Sequence, residues 1–242
     1  MTATQLVVVA VAVFSASLIQ VLSGFGFALL SVPLMTLAIP TKEAVVVSTL
    51  LGAAVSTWQA WHGRGHVDGA LAKRLVLSAY CGMPLGLWAF VVFDEEVLRL
   101  ALGVSVLIAV VLLVAKVDLR SAGSSLDVGA GFVSGVLNTS LSTNGPPLVF
   151  ALQARGLEPE PFRGTINMVF SCSNVVGIVL FVVARRVDRD GLIAAAIAIP
   201  ALLIGQLCGY PLRKHLHGER FRRLVLGLLV VAATSAIVNA FV

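Results

Sequence analysis

Asn138-Thr-Ser-Leu-Ser-Thr-Asn-Gly-Pro-Pro147 is a polar, helix-breaking stretch inside an apolar block that has no charged residue from Val128 through Ala154. In lipid, unsatisfied backbone groups are costly, so irregular backbone persists only where protein covers it or where it lines a cavity. A proline at position 146 or 147 suits the first turn of a helix, which Asn144 can cap. The amino end of such a half-helix carries partial positive charge and free N–H groups, which favour an anion. The stretch therefore predicts a transporter built around a broken membrane helix.

The composition is that of an integral membrane protein. Of the 242 residues, 58% are hydrophobic and 12% are charged, whereas soluble domains carry about 25% charged residues. The first charge is Lys42, so no basic segment precedes the apolar N-terminus, and we expect Leu6–Leu22 to be retained rather than cleaved as a signal peptide. The net charge of +5 comes from short loops. It bears on membrane orientation and gives no support to nucleic-acid binding.

Uncharged segments long enough to cross a bilayer predict an all-α protein, since a crossing needs roughly 20 apolar residues. There are eight such hydrophobic blocks, Met1–Thr41, Ala44–Trp61, Leu75–Phe93, Leu100–Ala115, Val128–Ala154, Gly164–Ala184, Gly191–Leu212 and Leu224–Val242. The first and fifth blocks are longer than one crossing requires, and both are interrupted. The first contains Ser23-Gly24-Phe25-Gly26 and then Ser31-Val32-Pro33, and the fifth contains the polar stretch described above.

The two interrupted blocks resemble each other, which indicates an internal repeat. Val21-Leu22-Ser23…Val32-Pro33-Leu34 aligns with Val136-Leu137-Asn138…Pro146-Pro147-Leu148, and Glu96–Gly103 aligns with Arg220–Gly227. The offset drifts between about 114 and 124 residues. We expect two homologous membrane repeats over residues 1–115 and 126–242, joined by a linker loop at residues 116–125.

The topology of the broken blocks decides how the two copies are oriented. If each broken block returns to its starting side or crosses twice, the copies are inverted. The loops on one side of the membrane then carry twelve Lys and Arg residues, and those on the other side carry five. If each broken block crosses once, the split is eight against nine. The positive-inside rule favours the inverted arrangement.

Several motifs resemble those of the TauE/SafE sulfite exporter-like permeases. They are Gly24-x-Gly26 running to Pro33-Leu34, Gly131-x-x-x-Gly135 running to Gly145-Pro146-Pro147-Leu148, and Phe162-Arg163-Gly-Thr165. The resemblance covers nearly the whole chain and implies a multi-pass carrier in a bacterial inner membrane for sulfite, sulfoacetate or other sulfonates. The chain departs from the pattern at Asn138–Thr143, where many relatives have glycines, so the departure concerns the substrate more than transport.

The candidate substrate-binding residues lie at the two breaks and on the block that follows the second. They are Ser23, Gly24, Gly26, Pro33, Asn138, Thr139, Ser142, Thr143, Asn144, Gly145, Pro147, Arg163, Thr165, Asn167 and Asn174. With Ser31 near the start of a second half-helix, the first break would be the counterpart of the second. For each group an alternative stays open. Polar and small residues also hold helices together in membranes, and Arg163 could place its charge among lipid headgroups instead of binding an oxyanion.

Other functions have little support in the sequence. The cysteines (Cys81, Cys172, Cys208) lie in apolar blocks without CxxC spacing, and the histidines (His62, His66, His215, His217) lie in basic loops without a completing ligand cluster. We therefore expect no catalytic residues, metal site or cofactor. No Asp or Glu lies well inside a block, which favours potential-driven export. The alternatives left open are proton-coupled uptake of another small anion or solute and a non-transport membrane assembly subunit, and the chain is a candidate homo-oligomer.

Overall fold

The computed structural model describes residues 1–115 and 123–212, and these residues are helical with short connections. The helices are α1 (Ala3–Ser23), α2 (Phe27–Met35), α3 (Thr41–Gly63), α4 (Gly69–Val92), α5 (Glu95–Ala115), α6 (Gly123–Leu141), α7 (Gly145–Ala154), α8 (Pro159–Val183) and α9 (Arg189–Leu212). A short 3₁₀ helix, Arg64–His66, follows α3. The predicted block Leu224–Val242, the repeat motif Arg220–Gly227 and the histidines at 215 and 217 lie outside the described residues.

Five of these helices are long and apolar enough to cross a membrane. They are α1, α3 together with the 3₁₀ helix, α4, α8 and α9. Many large apolar side chains on their outward faces are exposed, among them Val7, Leu85, Val179 and Leu203. A surface of this kind suits hydrocarbon rather than water, because soluble proteins rarely expose large contiguous apolar patches. The predicted all-α membrane protein is therefore confirmed at this level.

Each interrupted block folds into a hairpin of one long and one short helix. In the first hairpin the Gln5 side chain, near the start of α1, donates to Ala38 O at 2.9 Å, just after α2. In the second, the Arg155 guanidinium, at the end of α7, donates to Gly123 O and to Asp127 Oδ2, both at 2.7 Å, at the start of α6. Each hairpin thus returns to the level at which its first helix begins.

The order of helices in residues 1–92 recurs in residues 123–212 as long, short, long, long. Helices of the first set pack on helices of the second set. The first long helix of each set packs on the last long helix of the other, as α1 on α9 and α6 on α4, while α3 packs on α8. The helix α6 begins at Gly123, inside the stretch 116–125 that the sequence assigns to a linker.

Side-chain contacts give the directions of the helices. Residues 63, 57, 52 and 49 of α3 meet residues 164, 171, 174 and 177 of α8, so these two helices are antiparallel. By the same kind of pairing α4, α6 and α8 run in one direction, and α1, α3 and α9 run in the opposite direction. We call the end where α3 and α9 begin the first face, and the end where α4 and α8 begin the second face.

Glycines allow the closest of these helix contacts. A Cβ atom at Gly135 of α6 would overlap the Ala79 carbonyl of α4, and one at Gly86 of α4 would overlap the Val136 carbonyl of α6. On the other side a Cβ at Gly205 of α9 would lie 2.7 Å from Phe14 O of α1. Small residues at such positions let membrane helices approach closely enough for dispersion contacts to hold them together. These pairs form the frame that carries the two hairpins.

Replacing Gly135 by alanine should loosen the α4–α6 pair. The added methyl group would meet backbone atoms, which cannot move away as a side chain can, so we expect a loss of about 1–3 kcal/mol in stability. The matched control is Gly129→Ala on the same helix, since a Cβ there meets no heavy atom within 4 Å. Thermal unfolding in detergent should show a lower midpoint for Gly135→Ala alone. Equal midpoints for the two variants would contradict the close contact.

Candidate functional site

The two short helices begin at the same place in the interior of the protein. Their first residues surround a central pocket, which also contacts α1, α3 and α8. The residues that line it are Gln20, Gly26, Phe27, Ala28, Leu29, Ser48, Gly52, Ser142, Thr143, Asn144, Gly145, Phe170 and Asn174. Its volume is about 20 Å³, which is enough for one water molecule. None of the lining residues is charged.

The start of α2 supplies backbone donors to the central pocket. Leu30 N donates to Gly26 O at 3.2 Å and makes the first bond of the helix. The N–H groups of Phe27, Ala28 and Leu29 precede it and have no acceptor within the helix. Gly26 has a φ of 98°, in the left-handed region that favours glycine. The chain can therefore turn sharply and present the positive end of α2 to the pocket.

The start of α7 supplies side-chain donors instead. Pro146 and Pro147 occupy its first turn and have no N–H. Thr143 Oγ1 and Asn144 Nδ2 are buried, and neither has a hydrogen-bond partner among the residues that the structure describes. Leaving a buried donor unsatisfied costs about 1–3 kcal/mol. These two donors lie beside the pocket and are therefore available to a polar group within it.

One detail of the predicted α7 start is wrong. The sequence predicts a helix that begins at Pro146 or Pro147 and is capped by the Asn144 side chain. The helix begins at Gly145, and Asn144 makes no capping bond because its backbone is already helical, with φ −73° and ψ −4°. An N-cap residue normally has an extended backbone. The Asn144 amide therefore lies beside the pocket as an unused donor.

Hydroxyl groups connect the two hairpins across α3. Ser142 Oγ accepts from Thr49 Oγ1 at 3.1 Å and donates to Ser48 Oγ at 3.4 Å, and Ser48 in turn lies 3.0 Å from Ser31 Oγ of α2. Ser142 has a φ of 58°, which is unfavourable for a residue with a side chain. Strain of this kind tends to occur at functional sites.

The central pocket gathers six of the predicted site residues, Gly26, Ser142, Thr143, Asn144, Gly145 and Asn174. Asn138 is not in the pocket lining but supports it, because Asn138 Nδ2 donates to Asn174 Oδ1 at 2.8 Å. Thr139 and Thr165 join helices, since the first donates to Met83 O at 2.6 Å and the second accepts from Asp68 N at 3.0 Å. These two contacts are of the packing kind that the sequence left open as an alternative. Pro147 lies in the first turn of α7, outside the pocket lining.

At the first break the sequence placed some residues incorrectly. Ser31 and Pro33 are the fifth and seventh residues of α2, so neither lies at its start. Ser23 bonds within its own turn, donating to Ile19 O and Phe25 O. The alignment of the two breaks paired Pro33 with Pro147. Pro33 is the seventh residue of α2, whereas Pro147 lies in the first turn of α7.

Three more predicted residues, Gly24, Arg163 and Asn167, line a second and larger pocket at the second face. We call it the outer pocket, and its volume is about 130 Å³. Arg163 Nη2 donates to Leu22 O at 3.1 Å, and Arg163 Nη1 lies 3.3 Å from Glu160 Oε1. Arg163 is thus placed at the second face and not in the central pocket.

Besides Phe27, Ala28 and Leu29 at the start of α2, four residues of the central pocket on the long helices were not predicted from the sequence, Gln20, Ser48, Gly52 and Phe170. Gln20 gave a usable signal, because it is an amide in an uncharged block three residues before the first break. The other three are ordinary residues of apolar helices and become pocket residues only through packing. In residues 1–115 and 123–212 no group of three or more His, Cys, Asp or Glu could hold a metal ion.

Comparisons with known proteins identify relatives of the chain. The family model described as sulfite exporter TauE/SafE matches residues 9–236. A probable sulfite/organosulfonate exporter TauE of Cupriavidus necator is 28% identical over 116 residues, which are 46% of this chain and 45% of that protein. A probable inner membrane transporter protein TsaS of Comamonas testosteroni is 29% identical over 108 residues, 44% of this chain and 45% of the relative. Each alignment spans about half of the curated relative. No solved structure matches the chain.

The left-handed backbone at Ser142 can be tested by a pair of substitutions. Ser142→Ala and Ser142→Gly both remove the hydroxyl bonds, but only glycine relieves the backbone strain of about 1–2 kcal/mol. Glycine also raises the conformational entropy of the unfolded chain, which lowers stability by about 0.4–1 kcal/mol. We therefore expect Ser142→Gly to be more stable than Ser142→Ala by about 0.5–1 kcal/mol, measured by thermal unfolding in detergent. A more stable alanine variant would contradict the left-handed geometry.

Proposed function

The chain belongs to the sulfite exporter TauE/SafE family, and we propose that it is a multi-pass carrier that exports small sulfur oxyanions across the inner membrane. The substrate class is sulfite, sulfoacetate or a similar organosulfonate. The observation that carries the proposal is the meeting of two helix N-termini at one buried polar pocket, beside the unused donors Thr143 Oγ1 and Asn144 Nδ2. The two relatives, a probable sulfite/organosulfonate exporter and a probable inner membrane transporter, support the same direction and compartment.

The pocket suits a small oxyanion because the N–H groups at the start of α2 and the polar side chains of its lining can donate hydrogen bonds. Each helix N-terminus is equivalent to roughly half a positive charge, so two of them offset about one negative charge. The hydroxyl and amide groups can complete the coordination of the oxygens. A site without a fixed cation holds an anion without trapping it as a permanent ion pair, which is what a carrier needs in order to release its cargo.

We propose that the described conformation is closed around the central pocket. A volume of about 20 Å³ holds one water, and sulfite has four heavy atoms. Binding therefore requires the starts of α2 and α7 to separate. Both helices are the short legs of hairpins. The Gln5 and Arg155 contacts fix the end of each hairpin at the face where the hairpin begins. This arrangement permits movement at the break while the outer ends of the hairpins stay fixed.

We further propose that the two halves are inverted copies. The exchange of partners between the halves supports this, as do the opposite directions of α1, α3 and α9 against α4, α6 and α8. A two-fold axis that relates the antiparallel helices α3 and α8 lies perpendicular to both, and hence in the membrane plane. Carriers with such symmetry commonly bind their substrate at the repeat interface near the midplane. The central pocket lies between α3 and α8.

Export is the direction that charge favours. The loops that the sequence attaches to the second face carry most of the Lys and Arg residues, which makes this face the cytoplasmic one under the positive-inside rule. Each negative charge that leaves the cell gains about 2.3 kcal/mol per 100 mV of membrane potential. No carboxylate lines the central pocket within the part of the chain that the structure describes. A proton carrier in this pocket is therefore not part of the proposal.

Anion flux in proteoliposomes tests the proposal. Sulfite, sulfoacetate and sulfate efflux would be measured under an imposed potential without a pH gradient. We expect flux that follows the potential and falls about tenfold in Thr143→Val, because one hydrogen bond to a charged group contributes about 1.5–3 kcal/mol. Valine keeps the shape of threonine and removes only the hydroxyl.

Ser140→Ala is the matched control for that experiment, since Ser140 Oγ lies in the same stretch but donates to Val136 O at 2.7 Å. Its flux should stay near that of the parent. Equal flux in Thr143→Val and the parent, at equal reconstitution, would contradict the central site. Flux that needs a pH gradient would replace potential-driven export by proton coupling.

A further inference from the structure

The outer pocket lies between the second face and the central pocket. It is lined in part by His62 and His66 at the end of α3, by Glu160 and Arg163 at the start of α8, and by Tyr210 near the end of α9. Most of these residues are exposed or half-buried. The pocket is several times larger than the central one, with about 130 Å³ against about 20 Å³. It is therefore large enough for a small oxyanion in the described conformation.

Two amide side chains form the wall between the two pockets. Gln20 lines the central pocket, Asn167 lines the outer pocket, and Gln20 Nε2 lies 3.3 Å from Asn167 Oδ1. Asn167 Nδ2 is held by Gly24 O at 3.2 Å and by Arg163 O at 2.9 Å. Both amides are almost completely buried, at 2% exposure each. The hydrogen bond between them therefore lies in the wall that separates the two pockets.

The first break lies at the same wall. Gly24 lines the outer pocket, and Gly26, two residues later, lines the central pocket. A Cβ on Gly24 would lie 2.7 Å from Arg163 Cγ, so the turn of the chain packs directly on the arginine. A movement of the start of α2 would therefore also move the wall and the arginine of the outer pocket.

The outer pocket contains a guanidinium, which the central pocket lacks, together with the opposite charge of Glu160. The guanidinium of Arg163 is a planar fork of five N–H donors that matches two oxygens of an oxyanion. Its pair with Glu160 lies at a site where the Glu160 side chain is 55% exposed, and such exposed pairs contribute little to stability. An anion in the outer pocket can therefore compete with Glu160 for the guanidinium.

We propose that the outer pocket is a second anion-binding station, in which Arg163 receives the sulfur oxyanion from the second face before it passes the Gln20–Asn167 wall to the central pocket. This inference rests on the proposed transport function. The ligand class is a small sulfite or sulfonate anion. The two stations differ in chemistry, since the outer one binds the anion through a guanidinium released from Glu160 and the inner one coordinates it by neutral donors.

Cysteine labelling tests the two stations separately from transport. In a background without Cys81, Cys172 and Cys208, single cysteines would replace Gln59, which lines the outer pocket, or Thr143, which lines the central one. An impermeant maleimide would be added to inside-out vesicles, which expose the second face. We expect Gln59→Cys to react at least tenfold faster than Thr143→Cys. Adding Gln20→Ala should raise the rate at Thr143→Cys toward that at Gln59→Cys.

Protection by the anion is the second measurement. Sulfoacetate is the probe, because sulfite itself consumes maleimides. We expect saturating sulfoacetate to slow labelling of Gln59→Cys several-fold, and this protection should be lost in Arg163→Gln. Arg64→Gln is the matched control, because Arg64 lies at the same face but stacks on Trp61, 4.3 Å from its ring centre. It should keep the protection.

The outcomes separate this proposal from the transport function itself. Equal labelling of Gln59→Cys and Thr143→Cys with Gln20 intact would overturn the wall. Protection that persists in Arg163→Gln, or that is lost equally in Arg64→Gln, would overturn the outer station. Both results are read from labelling rates and do not depend on flux. Protection at Gln59→Cys in a protein without any flux would leave the station standing and remove the proposed export.

Discussion

The structure depends on one constraint, which is that two helices begin in the interior of an apolar protein. A helix start has up to four N–H groups without an acceptor in the helix, and no water from a surrounding bilayer can satisfy them. At α2 these groups meet the central pocket, and at α7 two prolines remove part of the demand. The polar side chains of Ser142–Asn144 are buried because they surround the same point. The position of the pocket follows from this need.

The long helices hold the two breaks together. α4 and α6, and α1 and α9, approach so closely that added Cβ atoms would meet backbone atoms of the partner. α3 and α8 lie between these pairs and provide the polar residues Ser48 and Asn174 to the pocket. The frame therefore fixes the long legs of both hairpins, and the short legs α2 and α7 pack on α1 and α6 without belonging to the closest helix pairs.

The sequence predicted most of the fold and part of the candidate site. Hydropathy located the helices, because each apolar block is longer than any loop between the blocks. The two interruptions located the breaks, but the sequence left open whether each broken block is a hairpin or a single crossing. The pairing of Gln20 with Asn167, 147 residues apart, could not be predicted, since it depends on how α1 packs against α8. The Asn144 cap was wrong because residue type suggests capping, whereas backbone conformation decides it. The alignment of the two breaks relied on Pro33 for a similar reason, since a proline suggests a helix start whereas Pro33 lies inside α2.

The hydroxyl chain from Ser31 through Ser48 to Ser142 has a consequence for the empty carrier. A hydroxyl both donates and accepts, and it can reverse the direction of its hydrogen by a rotation about one bond. In the proposed function these hydroxyl groups can therefore turn their hydrogens toward an anion when one is bound, and toward each other when the anion leaves. In the proposed function the empty protein would return with little electrostatic penalty, so the loaded and unloaded halves of the proposed transport cycle would have similar barriers.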